Sequence, residues 1–79
     1  MNKEEVYKII GQVLNMEAEE ITPETSVETV PNWDSLAHIN ILTALDEKAS
    51  GRIADIEDFM DATSVQEICD ILVQYGLMN

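Results

Sequence analysis

Asp34-Ser35-Leu36 follows Pro31-Asn32-Trp33 and opens an apolar run, which sets a serine hydroxyl in the first turn of a helix. Three chemistries are open to that hydroxyl. It can cap the helix by accepting a backbone N–H, the usual role of a serine there. It can act as a nucleophile with His38, which shares its helical face three residues on. It can also accept a phosphate-linked group, because the free N–H groups and dipole of a helix start favour an anion by about 0.3–1 kcal/mol. Asp34 opposes that phosphate by charge unless a cation intervenes. The nucleophile reading is poor in its partners: neighbours on one helix do not reproduce the relay of a hydrolytic triad, and no Gly-rich stretch offers an oxyanion hole.

The remaining reactive types are few. Asp55, Glu57, Asp58 and Asp61 crowd together, but the alternating acids and central glycine of a calcium loop are absent. Cys69 lies among Ile68, Ile71 and Leu72, where a small buried hydrophobe is expected. As the only cysteine it forms no internal disulfide, so a reducing cytosol is the expected setting. The N-terminus leads directly into an amphipathic pattern, so neither a secretory signal nor a membrane span is expected.

Sixteen acids stand against Lys3, Lys8, Lys48 and Arg52, for a formal net charge of −12. Such a field repels nucleic acid and anionic membrane and attracts basic protein surfaces. The plainer reading is an acidic coat for solubility. Seventy-nine residues make one domain, 1–79, with a thin core: a chain this short buries roughly 60% of its unfolded surface. Apolar residues at 46% still suffice for a globular fold.

The elements that position the serine follow from capping and period. Asn2 caps a first helix over Lys3–Asn15, with Glu5 reaching back and Val6, Ile9, Ile10, Val13 and Leu14 on one face. A long loop follows, turning at Thr22-Pro23-Glu24-Thr25-Ser26, with Ile21, Val27 and Val30 as apolar pegs. Trp33 packs where this loop meets the second helix. That helix spans Ser35–Ala49 with Asp34 as its cap. Leu36, Ala37, Ile39, Ile41, Leu42, Ala44 and Leu45 make it apolar around much of its girth, wider than one core-facing stripe needs. One side faces the core and another is left for a partner or cargo. Ser50-Gly51 ends it, Gly51 suiting the left-handed terminating position. Asp55 is expected to cap a short third helix through Met60, whose apolar contacts are Ile56, Phe59 and Met60. Thr63 or Ser64 starts a fourth, with Gln66 or Glu67 completing the box, a buried face of Val65, Ile68, Leu72 and Tyr75, and Gly76 as its end. The expected architecture is all-α, a small four-helix bundle of three longer helices and one short one.

Length, acidity and the order long helix, long loop, Asp-Ser-Leu helix, short helix, long helix together resemble the acyl carrier protein family. The likeness covers essentially the whole chain, including Ile21-Thr22-Pro23-Glu24-Thr25-Ser26 and Leu45-Asp46-Glu47. The resemblance implies a free-standing carrier, not an enzyme, that holds acyl groups as thioesters on a 4′-phosphopantetheine arm attached to Ser35. Asp34 and Leu36 flank that attachment point. The resemblance further implies that a phosphopantetheinyl transferase installs the arm, the serine hydroxyl attacking the pyrophosphate of coenzyme A. Acyl-loading and acyl-processing enzymes with basic patches would then dock on Leu36, Asn40, Asp46, Glu47 and Asp55. No nucleic acid, membrane insertion or metal is implied, and a monomer is expected.

In the family, cargo can tuck among the later helices, for which Leu42, Leu45, Ile53, Ile56, Phe59 and Ala62 are candidates. Each of these is equally an ordinary core position. Carriers of fatty-acid synthesis typically place acids early in the second helix, where this chain has Ala37, His38 and Asn40. Thr43 replaces a large apolar contact, and Ala49 stands where an aromatic usually ends the helix. Trp33 before Asp34 occurs in many free-standing carriers. These departures point toward a specialised pathway rather than housekeeping fatty-acid enzymes. D-alanyl, other aminoacyl and peptidyl carriers stay open, as does an acidic helical adaptor that never receives the arm. His38 is read as a half-exposed helix residue near the arm or a docking partner.

Overall fold

The computed structural model describes residues 1–78. Three α-helices, α1 (Lys3–Leu14), α2 (Ser35–Lys48) and α3 (Val65–Gln74), alternate with two 3-10 segments, Ala18–Glu20 and Glu57–Asp61. Among the described residues the only extended pairing is a single antiparallel bridge between Ser26 and Ser64. The all-α expectation holds, and the short third helix is of the tighter 3-10 type. It starts later than the acids suggested. A turn closed by Ile56 N–H on the Ile53 carbonyl at 3.0 Å holds Asp55 in its middle. Ile56 therefore takes the cap position with no side-chain bond, and Asp55 is not a cap.

α1 forms as its ends dictate. Asn2 Oδ1 accepts the Glu5 N–H at 2.9 Å and Glu5 Oε1 accepts the Asn2 N–H at 3.2 Å, satisfying two orphan donors. Asn15, at φ 60°, turns the chain out of the helix. Val6, Ile10 and Leu14 are fully buried. The return is tight at Gly11, whose carbonyl accepts the Met16 N–H at 2.8 Å.

α2 lies against α1 with Ala37, Ile41, Leu45 and Ala49 buried at four-residue spacing. Ser50 and Gly51 both take left-handed backbone at its end, φ 56° and 82°. Asp46 then holds the following chain: its Oδ1 accepts the N–H groups of Ile53 at 2.9 Å and Ala54 at 3.0 Å.

α3 has its first donors satisfied largely from the long loop. Val65 N–H reaches the Thr25 carbonyl at 2.9 Å and Gln66 N–H the Pro23 carbonyl at 3.1 Å. Glu67 N–H reaches Ser64 Oγ at 3.1 Å, so Ser64 is the cap. This changes how the loop is tethered. Ile21 is buried and Val30 packs on the core, as expected of pegs. Val27 is not a peg: its side chain is exposed, and its backbone N–H bonds the Thr63 carbonyl at 2.9 Å instead. Nor does Tyr75 join the buried face of α3. As the C-terminal cap residue it points outward, its hydroxyl 3.4 Å from Asp58 Oδ2, and Cys69 completes the face with Val65, Ile68 and Leu72.

Candidate functional site

The first turn of α2 separates capping from presentation. Asp34 Oδ1 accepts the Ala37 N–H at 2.9 Å, so the aspartate is the cap. Ser35 is exposed, and no hydrogen bond engages its hydroxyl among the described residues. Leu36 beside it is 67% exposed. With Asp34 as the cap, the hydroxyl makes no hydrogen bond among the described residues.

Two depressions share part of their lining, and one of them lies beside it. One, a groove of about 400 Å³, is lined by Ser35, Trp33, Val27, His38, Ile39 and Met60. The other, a cleft of about 260 Å³ between α2 and the second 3-10 segment, has Leu42, Ile53 and Ile56 in its wall. Ile39 and Met60 line both, so the two depressions share an apolar wall. Of the residues proposed for cargo, Leu42, Ile53 and Ile56 face this cleft. Leu45 and Phe59 are core, and Ala62 lies in the groove.

His38 is wired into the fold. Its Nδ1 accepts the Trp33 indole N–H at 3.1 Å, and its Nε2 lies 2.8 Å from the Phe59 carbonyl. A carbonyl only accepts, so Nε2 carries the proton and Nδ1 the lone pair. The two rings stack loosely, centroids 6.1 Å apart. Trp33 itself is buried at the junction of loop and helix, as expected. With both nitrogens committed, the imidazole is no free base for Ser35.

No family model matches the chain. An acyl carrier protein of Buchnera aphidicola subsp. Baizongia pistaciae (strain Bp) is 34% identical over 73 residues, covering 92% of this chain and 92% of its own. The chain belongs to the acyl carrier protein family.

The surface of this acyl carrier family member distributes the expected docking residues unevenly. Leu36, Asn40, Glu47 and Asp55 are exposed. Asp46 is half-buried and spends one carboxylate oxygen on the Ile53 and Ala54 amides. Cys69 is buried, and burial pushes its thiol above the ordinary value, with Asp70 adding to the rise against Lys3. That suppresses thiolate and suits a packing role. Among the described residues no three His, Cys, Asp or Glu side chains gather as a metal site. No described helix is long and apolar enough to cross a membrane. Reading the sequence missed Val27 and Met60 beside the serine, and the Trp33–His38–Phe59 chain. One signal did exist: a buried indole N–H needs an acceptor, and His38 is one of the polar residues close to Trp33 in the chain.

Proposed function

We propose that this chain carries acyl groups between biosynthetic enzymes, with Ser35 as the point of attachment for 4′-phosphopantetheine. The observation that carries this reading is the exposed Ser35 hydroxyl, released from capping by Asp34, at the first residue of α2. The residues present suit the group: an open hydroxyl at a helix start and an apolar groove leading away from it. Once attached, the arm supplies a terminal thiol that holds an acyl group as a thioester.

The protein's own part is presentation. Ser35 offers the nucleophilic oxygen, while base and metal belong to the transferase. Asp34 fixes the turn, and Leu36 gives the transferase an apolar foothold. Glu47 and Asp55 add to an acidic surface that basic partners recognise, within a net charge of −12. The chain acts as a carrier rather than a catalyst, consistent with an imidazole committed to structure. The cytosol is the setting that suits its single buried thiol. The absence of acids at Ala37, His38 and Asn40, with Thr43 in place of a large apolar contact, favours service to a specialised pathway over housekeeping fatty-acid synthesis.

Intact mass after incubation with coenzyme A, magnesium and a broad-specificity phosphopantetheinyl transferase tests the assignment. The wild-type chain gains one arm and Ser35→Ala gains none. A folded wild-type chain of unchanged mass would instead favour an acidic helical adaptor.

A further inference from the structure

We propose that His38 is a positioning residue for the Ser35 site, a clamp that closes with its ring neutral and opens on protonation. The inference deepens the carrier reading and, for its effect on modification, rests on it. Its basis is the polarity of two hydrogen bonds. Trp33 Nε1–H, an obligatory donor, meets His38 Nδ1 at 3.1 Å, and His38 Nε2 meets the Phe59 carbonyl, an obligatory acceptor, at 2.8 Å. Only the neutral Nε2–H tautomer satisfies both. A proton added at Nδ1 sets N–H against N–H, and the Trp33 bond is lost while the Phe59 bond survives.

Two of the clamp's three residues line the groove beside the serine. Trp33 lies two residues before Ser35 and His38 three after it. Phe59 belongs to the second 3-10 segment, whose Met60 lines that groove. Residues twenty-one apart in the chain are thereby joined through one imidazole. Charged groups on the elements packed against the ring are Glu28 and Asp34 on the loop side and Glu57, Asp58 and Asp61 on the 3-10 segment. All are acids, and neither ring nitrogen bonds any of them. The bonds that define the clamp are therefore those to Trp33 and Phe59 alone. It holds while the ring is neutral and loosens when Nδ1 takes up a proton.

The test follows the indole N–H proton of Trp33, the single tryptophan, by NMR from about pH 8 to about pH 5. His38→Asn places an acceptor near Nδ1, and His38→Gln places a donor near Nε2; neither titrates. In the wild-type protein the indole resonance moves in one step together with the His38 ring, whose nitrogen shifts report the Nε2–H tautomer at high pH. Both variants show no step. A His38 that titrates while the indole resonance stays still, or a step that persists in both variants, overturns the clamp.

Modification rate of Ser35 supplies the second readout, taken as the ratio of wild type to His38→Gln at each pH so that the transferase's own profile cancels. The ratio should rise by about twofold to tenfold between low and neutral pH, the contribution of one hydrogen bond. A flat ratio beside a moving indole resonance reduces His38 to a structural residue and overturns its positioning role. Should neither protein accept the arm, the carrier reading fails and the positioning role falls with it. The indole resonance alone still decides the clamp.

Discussion

Asp34 and Ser35 divide between them two jobs that compete when one serine holds both. The carboxylate bonds the Ala37 amide, so the hydroxyl next to it stays in solvent. His38 shows the converse economy: a single ring satisfies a buried indole and a backbone carbonyl, leaving nothing for catalysis. Glu67 makes a titratable prediction at this scale. Its Oε1 accepts from the Thr63 amide and hydroxyl, both at 2.7 Å. Those bonds, the hydroxyl's first, hold the carboxyl below its ordinary value of 4.5. A group lowered by folding stabilises the native state above its ordinary value and loses that as pH falls through the folded value. Glu67→Gln should therefore be less stable than wild type at neutral pH, with the gap closing as pH drops below 4.5. Urea melts across that range measure it, and a gap independent of pH contradicts it.

At the scale of elements, the joints between helices carry more information than the helices themselves. A Cβ on Gly11 would stand 2.6 Å from the Met16 carbonyl oxygen. Alanine in a helix interior gains about 1 kcal/mol over glycine, but displacing backbone packed that closely costs about 1–3 kcal/mol. The clash wins, and Gly11→Ala should lower the urea midpoint although propensity alone predicts a rise. Asp46 is the corresponding joint after α2. Asp46→Lys strips the acceptor from two amides, one belonging to buried Ile53, and should cost about 1–3 kcal/mol in an equilibrium melt. An unchanged melt would mean water replaces the carboxylate there. α2 itself needs its broad apolar girth because it serves two surfaces. Ala37, Ile41 and Leu45 face the core, while Leu36 and Ile39 are at least half exposed beside the serine.

Over the whole molecule, charge acts locally. The fold measures 28 × 22 × 18 Å, about two to three times the Debye length of about 8–10 Å near physiological ionic strength. Acids on the far side therefore contribute little to a partner that docks along α2, whereas the exposed Glu47 lies on that helix. Glu47→Lys should slow modification by the transferase without altering the melt, and added salt should shrink the difference between variant and wild type. Equal rates at every ionic strength would remove Glu47 from the docking surface. Asp46→Lys is the informative comparison, since it changes charge and stability together.

Much of the fold is legible in the chain because its signals are short in range. Asn2 with Glu5, Asp34 with Ala37 and Ser64 with Glu67 each span three residues, so caps and helix starts follow from neighbours alone. The serine at the head of α2 belongs to that class. What lay beyond reach were pairings made only when the chain closes. Thr25 and Pro23 supply carbonyls to α3 from about forty residues away, and so the loop is held by backbone bonds as well as by the apolar pegs Ile21 and Val30. Met60 and Val27 reach the serine's groove by the same closure. Local periodicity determined which residues form helices and which hydroxyl starts one. The tertiary structure alone decided what surrounds that hydroxyl, because a contact across many residues depends on how every intervening turn is satisfied.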